Sequence, residues 1–321
     1  MTVYDCCAFL HENDLYELRL NQHWDFVDKF IVVEAGETHT GNPKSFNFDH
    51  SRFKKYESKI IYATFDNFAQ GVRQYPQLLD KWSTRSRVFI GQNTDDWTRA
   101  DFHGNYLAKV VHDDSASDDD IVYLSSLDEI LNQDAFEKGI SHFSQKDKLY
   151  PIYKEGQKTE ASPIRPSLGF ALDTYNYKFN LRCSTNDGIG YGQMTEFTVL
   201  KQILPATMRS MGLYTHLPIE NAGWHFAWMD NTNGKDVLSK FQSWPHSKDS
   251  DPDTRKPSYN VTNEEEALQC LFSNSPITQV EMTRDTHPAY LMDNLDKYSK
   301  YIDHGWFDNY KKTNPSLWDT K

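Results

Sequence analysis

The chain is short of positive charge, of cysteine and of long apolar runs. Lys and Arg number 34 against 46 Asp and Glu, a formal net charge of -12 at pH 7. Tracking a phosphate backbone needs clustered cations, so nucleic acid is disfavoured as a partner. The acidic excess is spread along the chain with no acidic tail, so it reads as a contribution to solubility. No stretch approaches the roughly 18 to 20 apolar residues that span a membrane. The N-terminus carries Asp5 and only a short apolar patch, unlike a secretory signal, so a cytoplasmic protein with no membrane span is expected. The four cysteines, Cys6, Cys7, Cys183 and Cys270, show no two-residue gap of a zinc knuckle or redox motif, and are expected to be reduced core residues. No internal repeat and no low-complexity linker interrupts the 321 residues, a length that suits one large domain or a domain with an appended subdomain.

What is present is an alternation of apolar strands and helices. Val3–Leu10 reads as a first strand, Leu15, Leu18 and Trp24 mark a short amphipathic helix ending before Asp25, and Val27–Ala35 is a second strand. A polar turn with Gly41 and Pro43 follows, then strands over Lys59–Phe65 and Asp120–Ser125 on either side of a helix over Asp95–His112. That order predicts an α/β fold with a doubly wound, mostly parallel sheet. Beyond residue 130 the pattern weakens. Segments 148–154 and 167–182 suggest further strands, Glu196–Met211 a helix, Gly223–Met229 a strand, Trp244–Asn260 a loop and Asn263–Leu271 a helix. Aromatic residues make up 14% of the chain. Rings with an apolar face and a polar tip suit stacking on flat ligands or sugars.

The run Asp119–Ile130 carries the strongest chemical signal, because a buried-looking strand empties into Ser126, Asp128 and Glu129. The crevice outside the carboxyl ends of such strands is where open α/β sheets bind ligands. The bland alternative is that Asp128 and Glu129 cap the next helix. Glu34 and the loop Thr38–Lys44 close the second strand in a comparable position, where a base or ribose is read and where backbone donors and a Lys meet phosphate.

Five ordered blocks give the chain a family likeness. Asp5, Phe9, Glu12, Asp14, Leu15, Glu17, Leu18 and Arg19 open it; Val33, Glu34, Thr38, His39, Thr40, Gly41, Pro43 and Lys44 form the second block; Ser126 to Ile130 form the third. Gly223, Trp224 and His225, with the following Lys240, Ser243 and His246, form the fourth, and Pro288, Tyr290, Leu291 and Asn294 the fifth. In these blocks the chain resembles glycosyltransferase family 17, whose best-known members are the bisecting N-acetylglucosaminyltransferases.

The resemblance implies a GT-A-type, Rossmann-like fold, a nucleotide-sugar-binding half over residues 1–130 and an aromatic-rich, acceptor-side half over 131–321, together one compact catalytic unit. It implies an inverting single displacement from a UDP-sugar, first of all UDP-N-acetylglucosamine, to a glycan or small hydroxyl acceptor. A divalent Mn²⁺ or Mg²⁺ would neutralise the leaving diphosphate. Asp128 and His225 are the implied metal ligands, with a satisfied core imidazole as the alternative for His225. Glu12, Glu34, Thr38, His39, Thr40, Lys44, Arg73, Ser126, Glu129 and His246 are the implied donor-binding residues, with a helix surface as the alternative place for His246 and a solvated helix face expected for Arg99. Asp187, Glu196 and Glu220 are the candidates for the base. Ser126 departs from the family, standing where an acid is the rule; a hydroxyl bonds ribose or water but supplies no charge. That departure keeps a degenerate, binding-only transferase among the alternatives, beside a metal-dependent phosphohydrolase and a DNA-modifying transferase.

Overall fold

A computed structural model describes residues 1–81, 94–144, 150–154, 157–162, 167–184, 188–210, 218–248, 261–273 and 276–317. Among them, no helix is long and apolar enough to cross a membrane. Strands β1 (Val3–Phe9), β2 (Lys29–Ala35), β3 (Ile60–Phe65) and β4 (Ile121–Ser125) pair in parallel in the spatial order β4-β1-β2-β3. Alternate residues of β1 face opposite ways, Val3 and Cys7 into one apolar cluster and Tyr4 and Cys6 into another. Helices cover both faces: α1 (Asn13–His23) lies on the first, while the second receives α3 (Thr94–Asp113) beyond the shorter α2 (Phe68–Gln74). This is the α/β arrangement expected. Strand order reverses between β1 and β4, which makes the crevice at their carboxyl ends the switch point of the sheet.

Beyond β4 the sheet changes character. A turn leads into β5 (Glu129–Leu131) and helix α4 (Gln133–Ser144), and the hairpin β6 (Tyr150–Lys154) with β7 (Gln157–Ser162) stands apart. Strands β8 (Leu168–Asn176), β9 (Leu181–Cys183) and β10 (Gly188–Glu196) extend the main sheet by antiparallel pairing, β10 lying directly against β4. β11 (Gly223–Ala227) runs antiparallel to β5 and parallel to β8. Helices α5 (Lys235–Ser243) and α6 (Glu264–Ser273), strand β12 (Ile277–Gln279) against β9, and helix α7 (Trp306–Thr313) complete the second half.

Several elements depart from expectation. Helix α1 is not amphipathic: Leu15, Tyr16, Glu17, Leu18, Arg19, Leu20 and His23 are all buried, because α1 is wedged between the sheet and the C-terminal segment around Tyr298. The helix expected over Glu196–Met211 is two pieces, Phe197–Leu200 and Pro205–Ser210, since Pro205 has no N–H to continue the first and starts the second. Strand β10 escaped notice because Gly188, Gly190 and Gly192 dilute the strand signal. None of the four cysteines forms a disulfide; three are buried and Cys270 is partly so.

One charged cluster lies inside the first layer. Asp5, in the middle of β1, faces α1 and accepts from Arg19 Nε at 3.0 and 3.1 Å, both side chains being essentially without solvent exposure. Arg19 Nη1 donates to the carbonyls of Ser126, Leu127 and Glu129 at 2.7 to 3.1 Å, and Nη2 to Ser125 Oγ at 2.6 Å. His23 Nδ1 donates to Asp5 Oδ2 at 2.7 Å while its Nε2 accepts the Leu131 N–H at 3.0 Å, which fixes the tautomer. Burial would raise the Asp5 carboxyl; Arg19 first and His23 next outweigh it and hold it down to about 2. The whole β4–β5 turn therefore hangs on α1.

Removing one partner of such a buried pair strands the other, so Arg19→Met is expected to lower the unfolding free energy by about 3–5 kcal/mol in urea titrations. A loss under 1 kcal/mol would mean the guanidinium is not holding the turn. Gly223 gives a second expectation. Its φ is +143°, and a Cβ there would stand 2.2 Å from the Ile130 carbonyl oxygen, so Gly223→Ala should part β11 from β5 and lower the melting temperature by several degrees.

Candidate functional site

The turn gripped by Arg19 presents Asp128 at the carboxyl edge of β4. The helix-cap alternative for Asp128 falls, since α4 begins only at Gln133 and Asn132 caps it by accepting from the Ala135 N–H. Glu129, fully buried, instead accepts the Ser126 N–H at 2.8 Å and closes the turn from inside. Asp128 is 6% exposed. Lys240 Nζ, from α5, donates to its Oδ2 at 2.7 Å, and His225 Nε2, from β11, lies 3.6 Å from its Oδ1. Glu12, just past β1, accepts the N–H groups of Leu10 and His11, and its charge also acts on Lys240. Burial opposes the charge on Asp128, but Lys240 and then His225 hold its carboxyl below the ordinary value. Burial likewise opposes the Lys240 ammonium; Asp128, Glu12 and Glu129 more than compensate, and its pKa is raised. Three residues expected at the site, Glu12, Asp128 and His225, thus converge at the switch point.

Lys240 was missed as a functional residue. The only trace was its place in a matched motif, because a Lys on a helix resembles any solvated Lys. Two devices aim it inward. Asp230, fully buried, caps α5 by accepting the N–H groups of Gly234, Asp236 and Val237 at 3.0 to 3.1 Å. Trp228 adopts φ +57°, an uncommon conformation for a bulky residue, which lays its ring 4.3 Å from Phe241 and 5.4 Å from the Lys240 ammonium.

The loop after β2 forms the flank. Glu34 is fully buried; it accepts from Lys44 Nζ, from the Asn47 and Phe48 N–H groups and from Tyr62 Oη, so its charge anchors the loop. Thr38 and Thr40 bond each other at 2.9 Å, Gly41 turns the chain at φ +87°, and Thr40 Oγ1 donates to the Gln242 carbonyl on α5 at 2.7 Å. His39 Nε2 donates to His103 Nδ1 at 3.2 Å, and His103 Nε2 to the Val33 carbonyl at 3.0 Å. Arg99 is not on a solvated helix face; it pairs with Asp96, donates to the His39 carbonyl at 3.3 Å and packs on Gly41.

The remaining expected residues lie elsewhere. His246 is half-buried on a short 3-10 helix, Pro245–Lys248, with its ring between Trp97 and Trp244, at centroid distances of 4.4 and 4.1 Å. Arg73 is exposed on α2. Glu196 pairs with Ile121, the first residue of β4, at the opposite end of that strand from Asp128, and Glu220 is exposed in the turn before β11. Asp187 lies outside the described residues. Ser126 has the Arg209 guanidinium 3.5 Å from its Oγ.

A resident Mn²⁺ or Mg²⁺ needs several converging oxygen or nitrogen donors. Asp128 and His225 meet, but one oxygen of Asp128 is taken by an ammonium and position 126 offers only a hydroxyl. Among the described residues no three His, Cys, Asp or Glu side chains group to hold an ion. The donor set does not fit a resident metal.

Comparison with known proteins places this geometry. Residues 1–138 match glycosyltransferase family 17. Over 87 residues, 26% of this chain, it is 31% identical to the beta-1,4-mannosyl-glycoprotein 4-beta-N-acetylglucosaminyltransferases of Homo sapiens and Rattus norvegicus and 30% identical to that of Mus musculus. The aligned segment spans 16% of the length of those relatives. Among solved structures, that of 4-diphosphocytidyl-2C-methyl-D-erythritol synthase superposes with a TM-score of 0.34 and 11% identity, over 69% of this chain and 89% of its own. The family likeness read in the sequence thus holds over the segment that builds β1 to β5, Glu12 and Asp128.

Burial keeps the His39 and His103 imidazoles neutral, with pKa values lowered to about 3 and about 4. The unfolded chain takes up their protons near pH 6.5, so their contribution is full above that pH and is lost as pH falls toward the folded values. Stability should drop between pH 6.5 and 4, by up to roughly 1.4 kcal/mol per pH unit for His103. Urea midpoints at pH 7 and 5 check this, with His103→Gln flattening the slope; equal midpoints in the parent protein would contradict it.

Proposed function

We propose that this chain is a glycosyltransferase that binds a nucleotide-sugar donor at the switch point between β1 and β4 and passes the sugar to a hydroxyl acceptor. The observation that carries the reading is the convergence of Glu12, Asp128 and His225 at that edge, in the part of the fold whose first half matches glycosyltransferase family 17. The carboxyl edge of a β4-β1-β2-β3 parallel set is the position where a Rossmann-like or GT-A-type sheet takes a nucleotide. The names of the mammalian relatives make UDP-N-acetylglucosamine the first donor to test and a glycan the first acceptor.

In this reading the acceptor oxygen attacks the anomeric carbon as the nucleoside diphosphate leaves, with inversion. Asp128 and His225 face the reacting centre, while Glu34, Thr38, His39, Thr40 and Lys44 shape the donor's flank through the loop they hold. Asp128 fixes the placement of Lys240 and His225 together, so its loss should disturb both binding and chemistry.

A thermal-shift series with UDP, GDP and their sugars is the direct test. A ligand at 100 times its dissociation constant stabilises by about 2.7 kcal/mol, so a bound donor raises Tm visibly. UDP-N-acetylglucosamine should do so, and Asp128→Ala should reduce sugar transfer by roughly 100-fold or more. NMR of the product linkage would report the inversion. A protein that no nucleotide stabilises would overturn the donor reading. Binding without transfer to any acceptor would favour the binding-only reading that Ser126 raises, and phosphate release from nucleotides would favour the phosphohydrolase.

A further inference from the structure

The two positions that gather negative charge in an acid-x-acid motif each meet a cation of the protein itself. At the first, the hydroxyl of Ser126 lies 3.5 Å from the Arg209 guanidinium. At the second, Asp128 is bound by Lys240 at 2.7 Å. A divalent ion placed on Asp128 would have to share that carboxylate with an ammonium, and like charges so close repel strongly at a partly buried site. Lys240 is also built in place. Its helix is capped by Asp230, tied to the β2 loop through Thr40, and backed by the left-handed Trp228. Its side chain is 26% exposed, so the residue is held in place without being wholly enclosed.

We propose that Lys240 is the fixed counter-ion of the donor's diphosphate, and that this chain binds a nucleoside diphosphate and its sugar without a divalent metal. The inference rests on the nucleotide-sugar reading above. In the transfer step the acceptor oxygen forms the bond to the anomeric carbon, and the bond from that carbon to the phosphate oxygen breaks. The electron pair leaves on the diphosphate, and the acceptor proton passes to a carboxylate or imidazole of the site. Lys240 exchanges no proton; it lies beside the oxygen where negative charge develops, and Asp128 keeps it there before the donor arrives.

The test is calorimetric titration of UDP into EDTA-treated protein, repeated with Mn²⁺, for the parent chain, Lys240→Met and Lys240→Arg. The parent chain should bind UDP in EDTA, with affinity changed less than threefold by Mn²⁺. Lys240→Met should lose tenfold or more, and Lys240→Arg should recover most of it. Binding by the parent chain only when Mn²⁺ is present would overturn the role of Lys240 while leaving the donor reading intact, and needs no variant to fold. Undiminished binding by Lys240→Met would do the same. Absence of UDP binding under every condition would overturn the donor reading and this inference with it.

Discussion

The fold's chemistry depends on one buried ion pair, Asp5 with Arg19. A charged pair without solvent contact is a poor source of net stability, because desolvation offsets most of the attraction. What the guanidinium supplies is geometry. Its donors are divided among the Asp5 carboxylate, three carbonyls of the β4–β5 turn and the Ser125 hydroxyl. No other side chain offers that many donors in a rigid plane, and Lys could not reproduce it. With His23 completing the grip at Leu131, the turn that presents Asp128 is fixed to the central strand rather than to solvent. The floor beneath the site is thus a charged, hydrogen-bonded cluster rather than an apolar one.

The first half of the chain was legible because its strands are apolar runs bounded by turn residues, and each lies near where periodicity put it. The second half was legible in part: β8, β11 and α6 lie in or near the segments expected for them, whereas β10 and the broken helix over Glu196–Met211 were not foreseen, for physical reasons visible at particular residues. In β10, Gly192 approaches the neighbouring strand closely: a Cβ there would meet the Tyr123 hydroxyl at 2.6 Å. Packing demanded glycine where strand propensity would choose a β-branched residue. Helix α1 shows the opposite failure. It has polar residues on every side, yet Glu17 and Arg19 are buried because each finds partners, Arg52 and Lys297 for the first and Asp5 for the second. Hydropathy does not register a charge that is paired inside.

The site divides along the same line. Asp128 could be singled out because an acid at the exit of a buried strand is unusual in any sequence. Glu34 drew notice for the same reason, and Lys44 as a cation able to meet phosphate, but in the structure the two pair with each other, and residue type does not say whether a buried charge faces a ligand or a loop. His246 was read from a motif, and its ring lies among tryptophans. Lys240 stood out only by its place in a matched motif, since what distinguishes it chemically is a neighbour 112 positions away.

That separation bears on where the family likeness ends. The matched segment, residues 1–138, builds the parallel strands and delivers Glu12 and Asp128, while His225 and Lys240 come from the half beyond it. The two halves are joined around the site by β10 on β4, by Thr40 on α5 and by Trp97 against His246. The charge environment of Asp128 is therefore set largely by residues beyond that segment. The first half carries the carboxylate, and the second brings an imidazole and an ammonium to it.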